Sequence, residues 1–466
     1  MSPLYLAVDI GASSGRHMLA WLENGKIQLE EVWRFENKNV RKNGHLCWDT
    51  EYLFAQILDG LRHCREIGKV PDYMGIDTWG VDFALLDADG NRIGDTVTYR
   101  DSRTQGMDAA LSEDISEEEL YARTGIQKQL YNTIYQLKAL TLSDPELLKK
   151  ADRLLMLPDY FHYLLTGVKI NEYTNATTGQ LVNAGTGDWD YELMDRVGIP
   201  RRLFGELKMP GTTVGAFSPE IEKQVGFSCT VILPATHDTG SAVAAVPAES
   251  DDFLYISSGT WSLIGTERKT ADCSAQSQRC NFTNEGGVEH RYRYLKNIMG
   301  LWMIQSIRRE YDKKYSFGDI ARLAEEADIS SDIDVNDPRF LMPDSMIEAV
   351  RGLCAETGQQ VPDGVGEIAR VIYLGLAKEY GRAAREVREI TGIPYTSLHI
   401  VGGGCQDDFL NRLTARSTGL DVYAGPIEAT ALGNLSVQMI ATGTFADLAE
   451  ARRVIARSFD VRKVNL

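Results

Sequence analysis

Positive charge is in short supply in this chain of 466 residues: 49 Lys and Arg stand against 66 Asp and Glu, a formal net charge of −17. No Lys/Arg cluster stands out, which excludes a protein that grips nucleic acid through its phosphates. No apolar run approaches the length of a membrane span, and no basic segment or cleavage site precedes the strand-like Leu4-Tyr5-Leu6-Ala7-Val8, so no membrane partner and a cytoplasmic location are expected. Seven cysteines form no C-x-x-C and no Cys/His set with zinc spacing, and the seven histidines include no H-E-x-x-H. The thiols read as structural, although Cys273 and Cys280 bracket a polar segment and can pair under oxidation. Neither a G-x-x-x-x-G-K-[ST] loop nor a G-x-G-x-x-G fingerprint occurs, which disfavours P-loop and Rossmann nucleotide sites.

What is present is an ordinary globular composition, 43% apolar and 25% charged, in a chain too long for one hydrophobic core. Leu4 to Ile10, Arg16 to Leu22 and Lys26 to Phe35 read as three strands, the last two joined by a turn at Glu23-Asn24-Gly25. Asp49 caps a helix whose stripe Leu53, Ile57, Leu61 and Cys64 runs until Gly68. Tyr73 to Asp77 and Val81 to Leu86 read as further strands, and residues 103 to 202 as a helix-rich insertion. Pro247 to Asp252 makes a joint, after which "LYISSGTWSLIGTE" repeats the plan of "LYLAVDIGASSGRHMLA", with Gly259 matching Gly11. Two related α/β domains, 1–246 and 247–466, are expected. A long helix over 367–391, a strand over 398–401 and a helix ending at Gly419 complete the second half.

Gly11-Ala12-Ser13-Ser14-Gly15 matches the G-x-S-x-G of hydrolase nucleophile elbows, but that motif needs a helix after the serine, and "RHMLAWL" continues as a strand. A glycine-rich turn between strands instead aims backbone N–H groups and the Ser13 and Ser14 hydroxyls at one point, an anion site to which Arg16 adds charge. Ser257-Ser258-Gly259-Thr260 offers the same donors in the second half, and Gly402-Gly403-Gly404 lies at a strand-to-helix turn where backbone can approach a nucleotide.

The runs "GIDTWGVDF", "YRDSRT", "MLPDYFHYLLTG", "EYTNATTGQLVN", "THDTGSAV", "SSGTWSL", "LKNIMGLW" and "HIVGGGCQ" together resemble the FGGY carbohydrate kinase family, from Leu6 to about Gly443. One departure is visible: the family's mid-domain signature usually carries Lys and Trp near residue 138, where "NTIYQLKAL" has Gln136 and Ala139. The resemblance implies a two-domain actin-like (ribonuclease H-like) ATPase fold with an ATP cleft between the domains. It implies transfer of phosphate from ATP, with Mg²⁺, to the primary 1-hydroxyl of L-rhamnulose, with L-fuculose or another ketose as the alternative acceptor and an actin-like ATPase switch as the competing class. A monomer or homodimer is expected.

Carried over residue by residue, Asp238 resembles the catalytic base, and the same group can cap the helix of "TGSAVAAV". Asp9 resembles the acidic residue that holds Mg²⁺, the alternative being a core-edge aspartate with a backbone partner. Ala12, Ser13, Ser14, Gly15, Arg16, Thr260, Gln305 and Gly403 resemble ATP contacts. Gly80, His237, Asp238, Thr239 and Asn297 resemble sugar contacts. Trp79 and Phe83 can wall the sugar or pack in a core, Asp82 can accept from its hydroxyls, and Arg103 either braces that pocket or forms a surface ion pair.

Overall fold

The computed structural model describes residues 2–465 and divides the chain into two compact units, each assembled from three stretches: 1–245, 268–294 and 430–458 in the first, and 246–267, 295–429 and 459–466 in the second. The chain first passes between them at the Ala245–Val246 junction, just before Pro247.

The first unit is built on a six-stranded mixed sheet in the order Thr213–Ala216, Thr230–Ile232, Tyr73–Thr78, Tyr5–Ile10, Ser14–Glu23, Lys26–Glu36. The opening strand pairs antiparallel with Ser14–Glu23 and parallel with Tyr73–Thr78. Asn24 and Gly25 both take positive φ (52° and 73°), the pairing a two-residue hairpin needs to match the twist of its strands. One sheet face packs on the helix Thr50–Glu66, whose Leu53, Ile57, Leu61 and Cys64 are fully buried and whose first turn is capped by Asp49 accepting from the Tyr52 N–H. The other face carries the helix Ala429–Ala441, which docks through polar bonds: Gln438 Nε2 donates to Leu6 O at 3.0 Å and Asn434 Nδ2 to Gly75 O at 3.2 Å. Residues 103–202 form the helix-rich insertion, built over a second core with Ile134, Leu154, Trp189 and Phe204.

The expected strand from Val81 begins two residues late, at Phe83, because Val81 sits at φ 68°, a region a β-branched residue enters only under constraint.

The second unit repeats the plan. Phe253–Ser258 pairs antiparallel with Trp261–Arg268 and parallel with Ser397–Val401, which pairs parallel with Asp421–Ala424. The helix Gly364–Thr391 buries Ile368, Ile372, Leu376, Tyr380, Ala383 and Val387 and ends at Gly392 in the left-handed region. The shared hairpin-plus-parallel-neighbour arrangement is the structural content of the repeat between Gly11 and Gly259. The tips close alike, with Gly11 N–H bonding to Ser14 O and Gly259 N–H to Trp261 O, both at 2.9 Å. Among the described residues, no helix is long and apolar enough to cross a membrane, and all seven cysteines are free, so Cys273 and Cys280 are not paired here.

Candidate active site

In the first unit, the loop Gly11–Ser14 turns directly from one antiparallel strand into the next with no helix after Ser13, which removes the nucleophile-elbow reading. Ser13 is exposed. Asn37 shapes the loop, its N–H bonding to Ser13 O and its Nδ2 to Gly11 O, both at 2.9 Å. Gly15 is obligatory, since a Cβ there would lie 2.1 Å from the Phe35 ring.

Two strand registers converge at Asp9, which faces Arg16 on one side and Asp77 on the other. Arg16 grips the Asp9 carboxylate through Nε (3.1 Å) and Nη2 (3.0 Å), so its charge is committed to Asp9 and not to the loop alone as expected. Burial raises the Asp9 carboxyl above its usual range, Arg16 pulls against it and Asp238 adds to it. Asp77 stands well above the carboxylate range through burial and then Asp9, although Asn434 Nδ2 donates to it at 2.6 Å. Its Oδ1 is buried without a hydrogen bond. No group of three or more His, Cys, Asp or Glu among the described residues has metal-cage geometry. The donor set nonetheless fits a hard cation that takes few protein ligands, because three carboxylates bear on one another with Arg16 as the principal counter-charge. Asp77 escaped sequence reading; its signal was an acid in "GIDTWG" at the register of the acid in "AVDIG".

Asp238 is the first residue of the helix Asp238–Ala244, with His237 in the capping position. Its Oδ1 accepts from the Thr239 N–H (2.5 Å) and Oγ1 (3.1 Å), its side chain is 33% exposed, and Oδ2 has no protein partner among the described residues. A half-open carboxylate with one oxygen held and one free can accept a proton from a bound hydroxyl. The preceding Thr236 is anchored by Glu172, which accepts from its N–H (3.2 Å) and Oγ1 (2.6 Å) and also from Thr174 and Asn175. Glu172 caps the short helix that follows it through Thr174 and Asn175, but its link to Thr236, 64 residues away, leaves no local mark.

His237 is set between acids. Its Nε2 lies 3.5 Å from Asp238 Oδ1, and its Nδ1 lies 3.1 Å from Arg293 Nη2 and 3.3 Å from Glu285 Oε2. Gly80 is buried against Thr178, whose Oγ1 would sit 2.9 Å from any Cβ, and Thr239 is buried beside Asp238.

Asp82 corrects an expectation. It is fully buried, and Oδ2 accepts from Trp48 Nε1 (2.6 Å), Trp79 Nε1 (2.9 Å) and the Tyr99 N–H (3.1 Å), while Oδ1 accepts from Gln136 Nε2 (3.1 Å). It therefore has no surface to offer a sugar and acts as a hub. Trp79 and Phe83 are 7% and 6% exposed, with Trp79 packed against Trp48 at 4.0 Å between centroids. Arg103 forms no surface pair: it donates to Gln136 Oε1 and lies over the Phe83 ring, so it braces the hub from behind. Gln136, where the family signature differs, links the two.

The second unit brings its expected residues together by itself. Thr260, exposed at the hairpin tip, accepts through its carbonyl from the Trp302 N–H at 3.1 Å, which seats the helix Trp302–Glu310 and its Gln305. Asn297 stands on the strand Tyr292–Met299, next in sheet order to the hairpin. Gly402, at φ 85°, and Gly404 pack on Ser258, where a Cβ on Gly404 would meet Oγ at 2.0 Å, whereas Gly403 is exposed with open space beside it. The triplet lies between a strand and a helix, but not directly on the α-helix N-terminus. A 3₁₀ turn intervenes, and the helix starting at Asp408 is capped by the chain's own Asp407, which accepts from the Leu410 N–H.

Comparison with known proteins agrees along the whole chain. Residues 4–245 match the N-terminal domain, and residues 254–442 the C-terminal domain, of the FGGY family of carbohydrate kinases. The chain is 51% identical over 458 residues to a rhamnulokinase of Halalkalibacterium halodurans, covering 98% of each. It is 48% identical over 461 residues to a rhamnulokinase of Oceanobacillus iheyensis, covering 99% of this chain and 98% of that one. Among solved structures, a xylulose kinase from Lactobacillus acidophilus superposes over 99% of this chain and 93% of its own with a TM-score of 0.82 at 18% identity. A Plasmodium falciparum glycerol kinase with ADP gives 0.78 at 14% over 99% and 94%.

Proposed function

Because the chain belongs to the FGGY family of carbohydrate kinases, with the two-domain actin-like α/β fold of sugar kinases, we propose that it transfers the γ-phosphate of ATP to the primary 1-hydroxyl of L-rhamnulose. The observation that carries this reading is Asp238, half-exposed at a helix start with one free oxygen, in a chain about half identical throughout to rhamnulokinases. Asp238 orients the sugar hydroxyl and takes its proton, with Gly80, His237, Thr239 and Asn297 as sugar contacts. Residues 12–15 with Arg16 hold phosphate, and Thr260, Gln305 and Gly403 hold the nucleotide. Asp9 would hold Mg²⁺, and the ion, when bound, would offset the charge on the phosphates. Phosphoryl transfer passes through a loose transition state, so positioning and charge stabilisation by these groups carry most of the rate. The reaction belongs in the cytoplasm, in L-rhamnose catabolism, with the enzyme as monomer or homodimer.

Ketoses that share the reacting alcohol differ only in hydroxyl configuration, so discrimination rests on hydrogen bonds left unpaired by the wrong sugar. A coupled ADP-release assay with Mg²⁺-ATP and a panel of ketoses tests the assignment. L-rhamnulose should give the highest kcat/KM; a preference for L-fuculose, xylulose or glycerol overturns it.

A further inference from the structure

We propose that Arg293 is a positioning residue that fixes the His237 ring in the tautomer protonated on Nε2, so that His237 presents a hydrogen-bond donor to Asp238. Arg293 is fully buried and held at three points: Nε donates to Gly286 O at 2.8 Å, Nη1 pairs with Glu285 Oε2 at 2.9 Å, and Nη2 lies 3.1 Å from His237 Nδ1. A guanidinium has only donors and keeps its proton throughout the working range. The nitrogen opposite Nη2 must therefore offer its lone pair, which leaves the ring proton on Nε2. An imidazolium would set Nδ1–H against Nη2–H, donor against donor.

The groups facing the ring have distinct parts. Glu285, 3.3 Å from Nδ1, would by itself draw a proton onto that nitrogen. Arg293 occupies Glu285 and the Nδ1 lone pair together, which prevents it; the Arg293 charge works against burial to hold the Glu285 carboxyl below its usual range. On the far side, Nε2 lies 3.5 Å from Asp238 Oδ1, the oxygen already gripped by Thr239. A donor there faces Oδ1, favours its inward turn and leaves Oδ2 for the substrate. A positive ring in the same place would draw the carboxylate's electrons and weaken it as a base. The ring backbone is itself tied down, His237 N–H meeting Thr174 Oγ1 at 3.4 Å, so ring orientation follows from Arg293 and not from loop freedom.

This inference rests on Asp238 being the base, and the test separates the two. Long-range ¹H–¹⁵N spectra of histidine-labelled enzyme, with His237 assigned by loss of its signals in His237→Gln, read the tautomer without reference to activity. In the wild type Nδ1 should resonate as an unprotonated nitrogen and Nε2 as a protonated one. Arg293→Met should move a proton onto Nδ1 toward Glu285 and lower kcat on the order of tenfold to a hundredfold with a smaller change in sugar KM, as loss of an orienting partner does. Glu285→Gln keeps Arg293 and should leave the tautomer as in the wild type, which serves if Arg293→Met does not fold; Arg293→Lys, still an obligate donor, should restore much of the rate. A wild-type ring protonated on Nδ1, or a tautomer that changes in Glu285→Gln, overturns the role of Arg293. The expected tautomers with kcat in Arg293→Met within about twofold of the wild type would instead break the link to Asp238.

Discussion

Replacing Asp82 by Asn tests whether that carboxylate is a hub or a sugar contact. Three donors converge on Oδ2, from Trp48, Trp79 and Tyr99, and one on Oδ1, from Gln136. Asn can keep the three only by placing its carbonyl oxygen at the Oδ2 position, which turns its NH₂ toward the NH₂ of Gln136. Gln136 cannot simply flip: its Oε1 is held by Arg103, and its Nε2 also serves Val81 O (3.2 Å) and Tyr131 O (2.8 Å). Hydrogen bonds to a charged acceptor contribute roughly 1.5–3 kcal/mol and neutral ones about 0.5–1.5, so three weakened bonds cost about 3 kcal/mol, and the buried mismatch adds roughly 1–3. Burial holds the Asp82 carboxyl above its usual range despite these bonds, so removing the charge returns part of that cost. A net loss of about 2–4 kcal/mol is expected. At roughly 2–4 °C per kcal/mol for large domains, the melting temperature should fall by about 5–10 °C, followed by the fluorescence of the adjoining Trp48 and Trp79. Gln136→Glu by itself sets a second carboxylate against Asp82 and takes the donor from Val81 O and Tyr131 O, whereas combined with Asp82→Asn it gives the Asn NH₂ an acceptor that Arg103 also pairs, so the two changes should couple by at least about 1 kcal/mol. The reasoning is refuted if Asp82→Asn melts within about 1 °C of the wild type while sugar KM rises, which is what a direct contact to the sugar would give.

Asp238→Asn should lower kcat by roughly 10²–10⁴-fold with modest change in sugar affinity and melting temperature; near-normal turnover would send the search to another carboxylate. Asp9→Asn should weaken the apparent Mg²⁺ affinity and turnover, while sugar binding measured by calorimetry stays nearly intact; an unchanged Mg²⁺ dependence would make Asp9 structural. Burial lowers His17 to about 4 and His162 to about 3, from 6.5. The folded form thus binds fewer protons than the unfolded chain below about pH 6.5, so these histidines stabilise the fold fully above that pH and lose the effect as pH falls toward 4 and 3. Melting temperature should drop over that window, and less steeply in His162→Gln, whose amide oxygen can still accept from the Ile76 N–H that now meets His162 Nε2 at 3.0 Å; an identical slope in the variant counts against the assignment.

Features set by neighbours in sequence were legible before the structure. The Asp49 cap, the stripe from Leu53 to Cys64, the Asn24-Gly25 turn and the stop at Gly392 all follow local rules, and each stands where those rules put it. Asp238 and His237 were legible as part of a motif, and the structure sets them side by side at the start of the helix Asp238–Ala244. What stayed hidden depends on distant partners or breaks local preference. Val81 carries a valine where a strand is the natural reading, and distant partners hold it at positive φ: Thr178 accepts from its N–H, and Thr133 and Gln136 donate to its carbonyl. Asp82 looked available because its four donors come from residues 3 to 54 positions away. Glu172 and Arg293 were passed over for the same reason, a buried charge being recognisable only with its partners in view.

The three-stretch make-up of the first unit has a consequence for its birth on the ribosome. The sheet around Leu6 and Gly75 is synthesised early, but Asn434 and Gln438, which cap those carbonyls from the helix Ala429–Ala441, are made near the end. At about 5–20 residues per second, roughly 10–40 s separate completion of residue 245 from the arrival of that helix. During the interval one face of the nascent sheet lacks its own cover. Truncation before residue 430 should therefore yield a product that leans on chaperones or aggregates, even though every strand of that sheet has been made.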